Sequence, residues 1–220
     1  MSGLSRPVWF LVLVSILFVP AGAAGGGDGW KPLLDGKGLA GWQGVRGPPD
    51  NWRVEGGVLL CTGKPGSKWI ATKETFDDFE LELEFNVSPG GNSGVFLRAP
   101  LEGRPAFDGI EIQIADDFSA KYQAKPVIKH TGAVYDLEPP AKKAAKRAGQ
   151  WQTMRIRCVG RRLVVFLNGQ QIQDVDLDAY PGKEKTHAAL KRKGGHVGLQ
   201  NHGVPMRFRN VRIRRVDGGG

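Results

Sequence analysis

The sequence predicts an all-β chain folded as a two-sheet sandwich of jelly-roll type. Three observations carry that expectation. Glycine and proline recur 32 and 14 times in 220 residues, which suits many short elements joined by turns. The apolar residues between them alternate, as on strands, instead of recurring every third or fourth position. Only 138–149, which opens on Pro139-Pro140 and runs through alanine and lysine to Gly149, resembles a helix, and it reads equally as a lysine-rich loop.

The elements follow in order. Residues 1–23 read as a signal peptide: Arg6 supplies the positive start, 8–19 is an apolar run, and Ala21-Gly22-Ala23 fits cleavage after a small residue. The run is shorter than the ~20 residues of a membrane span. The mature chain is therefore expected to be exported, to a periplasm or the medium, with no membrane span. Residues 24–32 form a glycine-rich linker, 33–215 the domain and 216–220 a tail. The roughly 195 residues left after cleavage suit one all-β domain.

Strands are expected near 52–54, 57–62, 68–72, 78–87, 93–98, 109–115, 131–135, 151–158, 162–168, 171–176, 195–201 and 206–215. The clearest is Phe79-Glu80-Leu81-Glu82-Leu83-Glu84-Phe85, apolar on one face and acidic on the other. Asn168-Gly169 between two such runs signals a hairpin with a type I′ turn. Residues 116–131 lack periodicity and read as a long loop, a common form of lid.

Charge and cysteines narrow the function classes. The formal charge is +9, or +8 without Arg6. The basic runs AKKAAKRAG (141–149) and LKRKGG (190–195) lack interleaved aromatics, so they read as solvated loops and not as a nucleic-acid surface. Cys61 and Cys158 lie in apolar strands, as buried thiols or as one disulfide; neither has metal-ligand spacing.

Alternation also selects the polar residues with chemical potential. If Ile110, Ile112, Ile114 and Leu199 face the core, then Glu111, Gln113, Gln200 and His202 share the opposite face. If Leu97 is core, Arg98 joins them. The alternative is an ordinary solvated sheet face. Asn92 and Ser93 precede that strand as donors or as turn residues. His130 and Tyr135 flank a segment that could form a groove wall, with Lys129 and Asp136 beside them. Glu80, Glu82 and Glu84 read as a charged face offset by basic residues, with Glu84 the one that could partner Glu111 if their strands were neighbours. His187 and His196 receive no role. Among Trp42, Trp52, Trp69 and Trp151 at least three are expected to be packing, with Trp69 the least settled.

The ordered motifs LLDGKGLAGW (33–42), WRVEGGVLLCTG (52–63), FDDFELELEFNVSPGGNSGVFLRA (76–99), GIEIQI (109–114), TGAVYDLEPP (131–140), GQWQTMRIRCVGRRLVVFLNG (149–169) and GHVGLQNHGVPMRFRNVRIR (195–214) resemble the 3-keto-disaccharide hydrolase domain family over about 33–215. More distantly, the chain resembles concanavalin A-like lectin/glucanase sandwiches. The resemblance implies one convex and one concave sheet, a carbohydrate site in the concave groove, and an oligosaccharide or glycoside substrate. Two function classes follow: an enzyme acting on 3-keto glycosides, or a lectin-like binding module without catalysis. In the enzyme, Glu111 would be the base and His202 the leaving-group acid, or a metal ligand if a divalent ion polarises the ketone. Arg98 would stabilise the enolate, while Gln113, Gln200, His130 and Tyr135 would bind substrate.

Overall fold

The computed structural model describes residues 29–217; the expected signal peptide lies outside them. The strands are β1 (Lys31–Pro32), β2 (Trp42–Val45), β3 (Trp52–Glu55), β4 (Val58–Cys61), β5 (Trp69–Phe76), β6 (Phe79–Val87), β7 (Asn92–Ala99), β8 (Ile110–Ala115), β9 (Gln152–Val159), β10 (Arg162–Leu167), β11 (Gln170–Asp176), β12 (Gly195–Gln200) and β13 (Met206–Arg215). Two single-turn helices, α1 (Pro105–Asp108) and α2 (Ala120–Gln123), flank β8. The first pairing along the described chain is β1 with Ile213 and Arg212 of β13.

The strands form two antiparallel sheets. The large one runs β11-β10-β9-β6-β13-β4-β3, with β1 also on β13; the small one runs β2-β5-β12-β7-β8. Their facing sides make one core. Phe79, Leu81, Leu83 and Phe85 come from the large sheet, and Ile110, Ile112, Ile114, Val197 and Leu199 from the small one. This core holds the register. Slipping β8 by one residue would turn three isoleucines out of this core and put Glu111 and Gln113 in their place. Each isoleucine is worth roughly 1.5–3 kcal/mol of burial.

Asn168 and Gly169 adopt φ of 51° and 81°, the positive pair a type I′ turn requires. The 138–149 segment forms no helix. Ala144, Ala145 and Ala148 pack on the core, and the sandwich takes over the backbone bonds: Ala141 N–H donates to Ile172 O and Gly149 N–H to Val87 O. The expected strand at 131–135 survives only as bridges of Val134 to Ile112 and Glu138. Cys61 and Cys158 are buried and unpaired, and burial pushes both thiols up to about 11. Among the described residues no helix is long and apolar enough to cross a membrane.

Candidate functional site

The outward face of the small sheet is not an ordinary solvated face. Register sets its rows. Gly198 pairs with Ala71 and Phe96, and Phe96 pairs with Glu111. Tyr135 N–H donates to Glu111 O at 2.9 Å, which places Tyr135 across from Glu111 on the same face. In the next row Val45 pairs with Trp69 and Trp69 with Gln200. Leu199 pairs with Val95, so Gln200 stands beside Gly94, which pairs with Gln113.

Two glycines in these rows make room. A Cβ on Gly94 would overlap Glu111 Oε1, and a Cβ on Gly198 would overlap the Trp69 indole. The Glu111 carboxyl thus lies in a hollow over Gly94, between the positions of Gln200 and Gln113. Trp69 lies over Gly198 and meets Phe96 edge-on at 5.2 Å. Val45, Trp69, Ala71, Phe96 and Ala99 form a second apolar cluster on this face, which dries the surroundings of the carboxyl.

Glu111 is 3 % exposed and Gln113 2 %. Burial pushes the Glu111 carboxyl up to about 8; the Lys129 charge and the Gln200 amide pull it back only in part. This is the behaviour of a desolvated acid. Gln113 Nε2 donates to Asn92 Oδ1 at 3.1 Å. Gln200 Oε1 is buried without a hydrogen-bond partner, an acceptor open to a ligand hydroxyl.

The 116–131 segment supplies the rest. Its α2 carries Tyr122, 2 % exposed, whose phenol is raised by burial and lies in the field of Tyr135, Asp117 and Glu111, beside Asn92. A 3-10 turn over Val127–Lys129 presents Lys129, its Nζ 2.7 Å from Asp136 Oδ1 and 3.7 Å from the Tyr135 ring centroid. Phe107 touches both Tyr135 and His187 and continues the aromatic wall.

Several sequence-derived site residues stand elsewhere. Arg98 does not face the hollow. Between His196 and Gly198 the β12–β7 register shifts, so Leu97 and Arg98 together oppose Val197. This extra residue of a bulge breaks the parity that would have placed Arg98 with Glu111. Arg98 takes φ 49° and is 1 % exposed. It donates to Asp77 O and Gly160 O at 2.9 Å and pairs with Asp78 at 2.9 Å, clamping the sheet ends together.

His130 is buried and its Nε2 sits 2.9 Å from Tyr122 O and 3.3 Å from Lys125 O. Carbonyls only accept, so Nε2 carries the proton and bolts the 116–131 segment. Ser93 Oγ donates to Gln200 O and is structural, whereas Asn92 reaches the site.

His202 follows the end of β12 and is exposed. Asn201 Oδ1 accepts Gly203 N–H at 3.0 Å and turns the chain there, ending the alternation. No hydrogen bond or ion pair links His202 to Glu111.

Glu84 lies on the large sheet and cannot partner Glu111 across neighbouring strands. Trp42 and Trp52 are core, Trp69 is buried on the site face, and Trp151 lies under Arg209.

Sequence reading missed Tyr122 and the hollow over Gly94. Tyr122 sits in a stretch without periodicity, and a glycine inside a strand was the available signal for a close approach. A cavity of about 950 Å³ opens elsewhere, beside Glu82, Glu84, Arg155 and Arg212; arginines already neutralise Glu82 and Glu84. Among the described residues no three His, Cys, Asp or Glu side chains gather to hold a metal ion.

Comparison with known proteins supplies a family. Residues 29–214 match the model of the 3-keto-alpha-glucoside-1,2-lyase-like domain. A 3-keto-disaccharide hydrolase from Bacteroides thetaiotaomicron is 26 % identical over 230 residues, covering 86 % of this chain and 79 % of the relative. A crystal structure of a candidate glycosyl hydrolase from Parabacteroides distasonis superposes with TM-score 0.75 at 31 % identity, covering 85 % of this chain and 99 % of that one. A non-specific endo-β-1,3(4)-glucanase shares the jelly-roll fold, with TM-score 0.51 at 15 % identity over 86 % of this chain and 91 % of its own.

Proposed function

The chain belongs to the 3-keto-alpha-glucoside-1,2-lyase-like family, and from that premise we propose that it cleaves 3-keto glycosides by elimination and hydration, with Glu111 as the base. The relatives named for glycoside cleavage support a carbohydrate-active enzyme. One observation carries the finer reading: Glu111 is a desolvated carboxyl, pushed up to about 8, whose perturbing neighbours are a lysine and an amide. Ordinary glycosidases work with a pair of carboxylates about 5–5.5 or 6.5–9.5 Å apart. A single carboxylate suffices when a ketone at carbon 3 acidifies the proton on carbon 2.

In this reading Glu111 takes the carbon-2 proton, the C–H electrons form the enolate, and the group on carbon 1 departs with its bonding pair and a proton. Water then adds to the unsaturated sugar. Raising the basicity of Glu111 strengthens proton abstraction, and burial supplies that rise. Gln200 and Gln113 are amides suited to sugar hydroxyls. His202, exposed and two residues beyond Gln200, is the proposed donor to the leaving group. Because Glu111 is 3 % exposed, a sugar has to uncover the carboxyl to reach it. The apolar N-terminal run supports export, to a periplasm or the medium.

The test is incubation of the purified protein with a 3-keto disaccharide and with its unoxidised parent, each with and without a chelator. The ketone should be cleaved and the parent left intact. Turnover should pass through a maximum with pH and fall on either side, because Glu111, its carboxyl raised by burial, acts ionised while the leaving-group donor acts protonated. Glycan binding with no cleavage of any oxidised sugar would instead identify a lectin-like module.

A further inference from the structure

We propose that Lys129, seated on the Tyr135 ring and tethered by Asp136, is the cation that positions charge at the Glu111 site, filling the part that the sequence had suggested for Arg98. The proposal rests on the reading of Glu111 as the base. Proton transfer from carbon 2 to Glu111 moves the C–H electron pair towards the carbon-3 oxygen, so negative charge grows there as the carboxylate loses its own. A cation serving both states has to sit near the carboxyl and be fixed before reaction.

Lys129 meets these conditions. Tyr135 stands across from Glu111, its N–H bonded to Glu111 O, and the Lys129 ammonium lies 3.7 Å from the Tyr135 ring centroid. Asp136 holds the same ammonium at 2.7 Å and Tyr135 interacts with it as well, which leaves one of its three N–H donors for a ligand. The Lys129 stem is mostly buried, with 23 % side-chain exposure, so its rotamers are restricted. Around Glu111 the groups from each packed element are the Tyr122 phenol on α2, Tyr135 and Asp136 on the edge segment and Lys129 on its 3-10 turn. Of these, Lys129 is the positive charge. Arg98 is consumed by the clamp at the sheet ends.

The experiment compares Lys129→Met, Lys129→Arg and Asp136→Asn with the unmodified protein in two arms. The first follows the Glu111 carboxyl by ¹³C NMR through a pH titration without substrate. Lys129→Met should move its midpoint upward by about one unit, while Lys129→Arg should leave it near the original value. The second measures turnover of a 3-keto glycoside. Lys129→Met should lower kcat by about 10²–10³-fold, the worth of one oxyanion donor, with KM changed much less and partial rescue by arginine. Asp136→Asn, which frees the ammonium without removing it, should move the Glu111 midpoint downward.

An unmoved midpoint in a folded Lys129→Met variant would overturn the proposal, as would an unchanged kcat. If Lys129→Met fails to fold, a Glu111 midpoint unmoved in Asp136→Asn overturns it equally. If the unmodified protein turns over no 3-keto glycoside, the functional reading falls, and the titration arm alone decides whether Lys129 governs Glu111.

Discussion

On the large sheet, Glu80, Glu82 and Glu84 of β6 meet arginines from the strands on either side. Arg155 and Arg214 reach Glu80 at 2.7 Å, Arg212 reaches Glu82 at 2.6 Å and Arg209 reaches Glu84 at 2.7 Å. On the small sheet, Glu111 of β8 meets glycine, amides, aromatic rings and one lysine. Both strands alternate apolar and acidic or amide residues, and both acidic sets face away from the core. Burial raises Glu80 and Glu84, but Arg155 and Arg214, and Asn210 and Arg209, outweigh it and hold both below the usual carboxylate range. At Glu111 burial wins. The lesson is that the neighbouring strands decide whether an outward carboxylate is a structural ion or a reactive acid.

The sharpest way to break this contrast is Glu111→Gln. It keeps the side-chain shape and removes the base, so turnover of a 3-keto glycoside should fall 10²–10⁴-fold. Glu82→Gln on the other face should leave turnover unchanged. Equal rates in the unmodified and Glu111→Gln proteins would remove Glu111 from the mechanism.

Stability against pH separates the two faces next. Glu111 binds its proton more tightly in the folded state than at the unfolded value of 4.5. Its contribution is therefore full below 4.5 and is lost as pH rises towards 8, by roughly 1.4 kcal/mol per unit. Glu80 and Glu84 have the opposite sign: their contribution is present above 4.5 and is lost as pH falls through their lowered folded values. Denaturant titrations from about pH 2 to 9 should show the alkaline decline shrink in Glu111→Gln and the acid decline shrink in Glu80→Gln. A decline that keeps its slope in Glu111→Gln would show that the carboxyl is not desolvated.

Gly94→Ala tests the hollow itself. The new Cβ would overlap the Glu111 carboxyl and push it aside. A displacement of about 1 Å costs on the order of 10²-fold in rate, so turnover should drop by that amount in a folded variant. Wild-type turnover with the alanine in place would mean that the carboxyl has other room.

The smallest expected effect is on the large sheet. Glu80→Gln should cost about 1–2 kcal/mol, measured by urea unfolding at pH 7. A fully buried broken pair costs about 3–5 kcal/mol. Glu80 is buried, but its arginine partners are 30–49 % exposed and solvent screens the ions left behind.

Much of this was legible from residue order. Alternation identified the core faces of β6, β8 and β12, and Asn168-Gly169 announced its hairpin, because a strand has a period of two and a type I′ turn needs positive φ. The same parity correctly placed Glu111, Gln113 and Gln200 on one face. It failed at Arg98, where a bulge added a residue, and it stopped at Gln200, where Asn201 turned the chain before His202. Neither event leaves a mark in hydrophobic periodicity. The short β2, four residues containing Gly44, offered too little pattern to be seen at all.

Residue order alone tells which side chains face inward and which outward, since that follows from local geometry and burial. The tertiary structure decided what each outward carboxylate meets. Arg155 and Arg214 come to Glu80 from strands 75 and 134 residues away in the chain, and Tyr135 and Lys129 come to Glu111 because the 116–138 segment folds back on β8. Proton affinity depends on such through-space neighbours and on the water they exclude, and neither is carried by the order of residues along one strand.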